Sequence, residues 1–154
     1  MKKLRGWQGS CFTCRSIPKK YLLAIQILTY PSVDRFRMAK YAVIADDFTG
    51  AGDSGVHFAA SGLRTALVLD QAGVAGAFDR HDAVSLSTES RFLSPGEAAE
   101  RVGEAVKACR SAGADAYYKK IDSTLRGNLS AEIAAALREG DFAGAVFCPA
   151  MPRT

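Results

Sequence analysis

The ten residues Lys119-Lys120-Ile121-Asp122-Ser123-Thr124-Leu125-Arg126-Gly127-Asn128 carry three cations, one carboxylate, two hydroxyls and a carboxamide. They follow a short apolar run, Ala116-Tyr117-Tyr118, and lead into a helical pattern. Turning a chain needs no such density of hydrogen-bonding groups. A strand-to-loop-to-helix junction built from them suits the grip of a small, oxygen-rich, anionic molecule. Lys119, Lys120, Asp122, Ser123 and Arg126 are the candidate contacts. The plainer alternative is a solvated lysine pair and an aspartate that caps the turn.

Two further segments carry comparable chemistry. Asp46-Asp47-Phe48-Thr49-Gly50-Ala51 sets adjacent carboxylates at the end of an apolar run. Such carboxylates accept hydrogen bonds from sugar hydroxyls, bind a cation or take a proton, and the glycine lets the backbone approach a ligand. Thr88-Glu89-Ser90-Arg91 ends another apolar run, and its guanidinium suits bidentate capture of a carboxylate. Its alternative is a surface arginine paired with Glu89 or a helix residue. Several phosphotransfer readings fail on spacing. A haloacid-dehalogenase-type phosphatase needs a second Asp two positions after the first, where Phe48 stands. A receiver domain needs a phospho-acceptor Asp at the end of a later strand, where Ser87-Thr88-Glu89 stands. The phosphate-binding Gly-x-x-x-x-Gly-Lys-Ser/Thr pattern is absent. His57 and His81 are isolated, and no cluster has transition-metal spacing.

The elements that must position these residues alternate from Met38 onward. Tyr41–Ala45 reads as a strand buried on both faces. A short helix capped by Asp53 or Ser54 follows, ending at Gly62. Strands are expected at Thr65–Leu69 and Ala83–Ser87, separated by a Gly/Ala loop. Ser94-Pro95-Gly96-Glu97 is a capping-box helix start, with the helix stopping near Gly113. Ala116-Tyr117-Tyr118 opens a fourth strand, a helix carries Leu129, Ile133, Ala136 and Leu137, and Ala143–Cys148 is a fifth strand. The order β-α-β-β-α-β-α-β predicts an α/β, Rossmann-like three-layer sandwich with a mostly parallel sheet. Ligands of such sheets sit beyond the carboxyl ends of the strands. That rule gathers Asp46-Asp47, Thr88–Arg91 and Lys119–Arg126 on one edge.

The 154 residues, 48% hydrophobic, suffice for one packed domain. The net charge of +4 is unevenly spread: residues 1–37 hold eight Lys/Arg and one acid, residues 38–154 twelve Lys/Arg and fifteen acids. The mildly acidic body argues against a nucleic-acid surface. The apolar run Tyr21–Tyr30 falls well short of the ~20 residues of a membrane span. Residues 1–37 are therefore expected to be an N-terminal extension, disordered or upstream of the true start, with the domain over 38–154. Cys11 and Cys14 lack the other ligands of a zinc site and read as incidental thiols, while Cys109 and Cys148 read as buried small hydrophobes. This usage fits a reducing, cytoplasmic setting.

Ile44-Ala45-Asp46-Asp47-Phe48-Thr49-Gly50-Ala51-Gly52-Asp53-Ser54-Gly55 resembles the opening motif of the four-carbon acid sugar kinases. Thr88-Glu89-Ser90-Arg91 resembles their second motif and Tyr118–Asn128 their third, while Pro149-Ala150-Met151-Pro152 resembles the start of a fourth. The resemblance covers about residues 40–152. It implies a two-domain enzyme whose N-terminal domain binds the sugar acid and whose C-terminal domain binds ATP with Mg²⁺. The product would be the 4-phosphate of a threonate, erythronate or 3-oxo-tetronate. Asp46, Asp47, Arg91, Lys119, Lys120, Asp122, Ser123 and Arg126 would line the sugar-acid pocket, with Arg91 or Lys119/Lys120 on the carboxylate and Asp47 as the group that orients or deprotonates the terminal hydroxyl. Arg153-Thr154 follow Pro152 without the family's usual spacer, and the nucleotide domain does not follow. The expectation is thus a sugar-acid-binding domain inactive by itself, its nucleotide domain supplied in cis or in trans. The alternatives are a non-catalytic sugar-acid-binding module and a small α/β phosphotransfer domain.

Overall fold

Tyr41–Ala45 forms β2, an interior strand of a sheet whose pairings are all parallel. The computed structural model describes residues 21–24 and 39–147. Its other strands are Tyr21–Ala24 (β1), Thr65–Val68 (β3), Ala83–Ser87 (β4), Ala116–Lys120 (β5) and Gly144–Phe147 (β6). Its helices are Phe48–Ala60 (α1), Gly73–Phe78 (α2), Pro95–Ser111 (α3) and Leu129–Gly140 (α4). The strand order is β3-β4-β2-β5-β1-β6. β1 comes from the basic segment set apart above as an extension. Cys11, Cys14, Cys148 and the Pro149–Thr154 tail lie outside the described residues.

Alternation along the strands makes the three layers. Ala42 and Ile44 of β2, Val84 and Leu86 of β4 and Tyr117 of β5 share one face. They are buried with Val74 and Phe78 of α2, Val102 and Val106 of α3 and Ala136 of α4. The opposite face carries α1, which lies close because small residues line the contact. Gly55 stands where a Cβ would meet the Ser85 Cβ at 3.4 Å, and the Ser85 hydroxyl donates to the Ala51 carbonyl at 2.7 Å. Burial on both faces explains the continuous apolar run of β2. Cys109 is buried as expected, and desolvation pushes its thiol up to about 12.

Three elements depart from expectation, each for a physical reason. α1 begins at Phe48, not near Asp53, because the Asp47 carboxylate accepts the Gly50 N–H at 2.8 Å and caps the first turn. The Gly/Ala loop winds into α2, burying Val74, Ala77 and Phe78. That short helix supplies the crossover a parallel β3–β4 pair requires. β5 extends through Lys120, so the two lysines belong to a strand rather than to the loop after it. Other signals hold. Ser94 and Glu97 form the capping box of α3, and Gly62 and Gly113 adopt left-handed φ of 88° and 80° just past their helices.

Candidate functional site

The carboxyl ends of β2, β4 and β5 are tied together by backbone hydrogen bonds before any side chain is counted. The Asp46 carbonyl accepts from Ser90 N at 3.0 Å and Arg91 N at 3.2 Å, and the Ala45 carbonyl from Thr88 N at 2.9 Å. The Asn128 amide donates to the carbonyls of Ser90 (3.2 Å) and Leu93 (2.9 Å), anchoring the same loop to the start of α4. Gly127, at φ 91°, closes over the assembly, and a Cβ there would stand 3.4 Å from Arg91 Cγ and 3.5 Å from Asp46 Oδ2.

These ties aim Arg91 at three carboxylates. Its Nε donates to Asp46 Oδ2 at 2.8 Å and its Nη2 to Asp46 Oδ1 at 3.1 Å, a bidentate fork. Nη1 lies 2.6 Å from Asp47 Oδ2 and 3.6 Å from Asp122 Oδ1. Arg126 forks onto Asp122 through Nε at 2.9 Å and Nη2 at 2.8 Å. Asp122 also accepts from Thr124 N at 3.0 Å and Thr124 Oγ1 at 2.5 Å. Side-chain exposure separates the members: 3% for Asp46 and 6% for Asp122, against 22% for Asp47 and 62% for Arg126.

The Asp46 hydrogen bonds, with the charges of Asp47 and Asp122, outweigh desolvation and hold the Arg91 guanidinium more firmly charged than usual. Hydrogen bonds from Arg126 first, then Thr124, hold the Asp122 carboxyl far below the usual carboxylate range. A carboxylate whose folded-state pKa is depressed stabilises the fold above its unfolded pKa, near ~3.9, and loses that contribution as pH falls below it. Asp122→Asn is therefore expected to flatten the stability-versus-pH profile below about pH 4. Urea midpoints measured from pH 6 to pH 2 check this. Parallel wild-type and variant profiles would contradict it.

The structure divides the lysine pair. Lys119 pairs across β2 with Ile44, and Lys120 with Ala45. Their side chains consequently leave on opposite faces. Lys119 turns toward α4, where its Nζ sits 2.7 Å from Glu132 Oε2 with both side chains buried, and it donates to the Lys120 carbonyl at 3.0 Å. It does not join the carboxylate cluster. Lys120 goes to the α1 face. A Cβ on Gly50 would stand 3.3 Å from Lys120 Cγ and 2.6 Å from Asp47 Oδ1, so lysine stem and carboxylate flank the same glycine. Ser123 is exposed on the adjoining loop. Arg91 pairs with Asp46 and Asp47 rather than with Glu89, whose carboxylate accepts from Ser87 Oγ at 2.5 Å. Sequence reasoning gave no role to Glu132, Ser90 or Asn128. The available signal was an acid, Glu132, three residues after Leu129 on the apolar stripe of α4. Among the described residues, no group of three His, Cys, Asp or Glu side chains is placed to hold a metal, and no helix is long and apolar enough to cross a membrane.

A family described as the sugar-binding N-terminal domain matches residues 41–154, which include every residue of this cluster. The chain belongs to that family. Within this sugar-binding family, the chain is similar to a D-threonate kinase of Salmonella typhimurium, 42% identical over 114 residues that are 73% of this chain and 26% of the relative. It is similar to a D-erythronate kinase of Heliobacterium modesticaldum, 44% identical over 102 residues covering 65% of this chain and 23% of that protein. A 3-oxo-tetronate kinase of Methylobacterium radiotolerans is 31% identical over 115 residues. The chain spans about a quarter of the length of these curated relatives. Among solved structures, it resembles a domain of unknown function (DUF1537) from Bordetella bronchiseptica, a domain-swapped dimer with bound citrate. The TM-score is 0.60 and the identity 38%, over 62% of this chain and 25% of that one.

Proposed function

We propose that residues 38–154 form the sugar-acid-binding domain of an ATP-dependent kinase acting on the 4-hydroxyl of a four-carbon sugar acid, threonate, erythronate or 3-oxo-tetronate. The observation that carries this reading is the convergence of Asp46, Asp47, Asp122, Arg91 and Lys120 on one strand edge. It is supported by the kinase names of the relatives and by the citrate, itself a hydroxylated carboxylate, bound in the Bordetella bronchiseptica structure.

Roles follow from which groups are already committed. Arg91 is wrapped by three carboxylates, and an incoming carboxylate would meet their repulsion there. Lys120 spends one of its three donors on the Ile121 carbonyl at 2.6 Å and keeps two. Lys120, with the exposed Arg126, is thus the better seat for the sugar carboxylate. Asp47 is the most exposed carboxylate of the cluster and orients the terminal hydroxyl. Asp46, Asp122 and Ser123 read the remaining hydroxyls. Each clustered carboxylate is held by an arginine. The nucleotide and its metal would be held by other parts of such a kinase, in cis or in trans.

Calorimetric titration of the full chain with D-threonate and D-erythronate is expected to give saturable binding. Threitol and erythritol, which keep the hydroxyls and lack the carboxylate, are expected to bind far more weakly. Lys120→Met is expected to weaken the acids and leave the polyols unchanged. A folded sample that takes up neither acid would end this reading.

A further inference from the structure

The buried ion pair Lys119–Glu132 lies behind the cluster, not in it, yet its hydrogen bonds end beside the segments that carry Asp122 and Arg91. Lys119 Nζ donates to the carbonyl of Lys120, two residues before Asp122. Glu132 Oε1 accepts from Ser90 Oγ at 2.7 Å, one residue before Arg91. Ser90 Oγ also packs 2.7 Å from Thr88 Oγ1, whose single proton goes to the carbonyl of Ala45 at 2.8 Å, one residue before Asp46, as the Ser90 proton goes to Glu132. Thr88, Ser90, Lys119 and Glu132 are all buried, at 3%, 0%, 1% and 1% exposure. Both Glu132 oxygens are thereby engaged, one by an ammonium and one by a hydroxyl.

A fully desolvated ion pair is a poor way to stabilise a fold, since well-packed apolar residues of similar volume do as well or better. Its geometry offers what apolar packing does not, directional bonds of fixed length. Resting on the sugar-acid reading above, we propose that Lys119 and Glu132 are positioning residues. Through Ser90 and the Lys120 carbonyl they hold Arg91, with the Asp46 it forks, and Asp122 at the spacing the ligand requires. Neither side chain touches the ligand.

The test separates stability from position. The full chain is compared with Lys119→Met/Glu132→Leu, which removes both charges together, and with Ser90→Ala, which leaves the pair intact and cuts its link to the Arg91 loop. Three quantities are measured: the melting temperature, the Arg91 Nε–H cross-peak in ¹⁵N–¹H spectra, and the affinity for D-threonate and D-erythronate. The cross-peak is assigned by its loss in Arg91→Lys. The double variant is expected to melt at or above the wild-type temperature. In both variants the Arg91 cross-peak is expected to shift or broaden and the affinity to fall about tenfold or more, as when groups that orient a binding residue are lost. A stable double variant with wild-type cross-peak and affinity would overturn the proposal, because the pair would then be structural alone. If the double variant does not fold, Ser90→Ala decides by the same two readouts. If the wild type binds neither acid, the sugar-acid reading falls, and the Arg91 cross-peak by itself decides whether the pair positions that side chain.

Discussion

Arg91→Ala is expected to cost about 3–5 kcal/mol of folding stability, the range found when one partner of a buried ion pair is removed. Asp46 is 3% exposed, and both of its oxygens take hydrogen bonds from Arg91. Without the guanidinium, a desolvated carboxylate faces a second one on the adjacent residue and has lost its counter-charge. Against a typical total of roughly 5–15 kcal/mol, a loss of that size leaves the variant close to unfolding. Arg91→Lys restores the charge but not the planar fork and is expected to recover only part of the loss. The exposed pair Arg64–Asp82 supplies the contrast. Arg64 is 68% exposed, and Arg64→Ala is expected to change stability little although its 2.7 Å contact is equally short. Urea denaturation of the three variants measures all of this. An Arg91→Ala curve that overlays the wild type would mean that water, not the arginine, compensates Asp46.

The convergence of Asp46, Arg91 and Asp122 was legible because each follows an apolar run, and parallel strands deliver their carboxyl ends to one edge. What the residues there do to one another was less legible. Adjacent lysines look alike in a sequence, and the apolar run stops at Tyr118 because lysine is a poor interior residue. Once β5 is seen to run through Lys120, period-two alternation sends the pair to opposite faces, and only one of them reaches the cluster. The partner that makes Lys119 tolerable inside, Glu132, sits 13 residues further on, on a helix whose apolar stripe conceals it. Likewise, Asp47 followed by glycine at Gly50 reads as a turn. It becomes a helix N-terminus because the sheet accepts a helix with small residues on its inner side. The short helix α2 has no strong local signal, and tertiary burial of Val74 and Phe78 overrides weak propensity. For Lys119 and α2 the missing information was a contact distant in sequence.

Glu132→Ala is the second large expected effect, and its size follows from what is left behind. The substitution removes the carboxylate 2.7 Å from Lys119 Nζ and leaves an ammonium on a side chain 0% exposed, with the Lys120 carbonyl as its remaining hydrogen-bond partner at 3.0 Å. It also strips the Ser90 hydroxyl of its acceptor. Loss of a buried counter-charge alone costs about 3–5 kcal/mol, and an unsatisfied buried hydroxyl adds roughly 1–3 kcal/mol unless it turns to another acceptor. Thr88 Oγ1, 2.7 Å away, is such an acceptor, so the hydroxyl contributes at the low end. A truncation without charge gives the scale. Leu86→Ala, at a fully buried position on β4, is expected to cost about 2–5 kcal/mol from lost transfer energy and the cavity left behind. Glu132→Ala should match or exceed it although glutamate is the more polar residue, because the dominant loss is an uncompensated charge rather than missing volume. Adding Lys119→Met to Glu132→Ala removes that charge and is expected to return most of the stability, the coupling a double-mutant cycle isolates. Denaturation of the two single variants and the double closes the cycle. Additive losses would mean that Lys119 and Glu132 do not depend on each other.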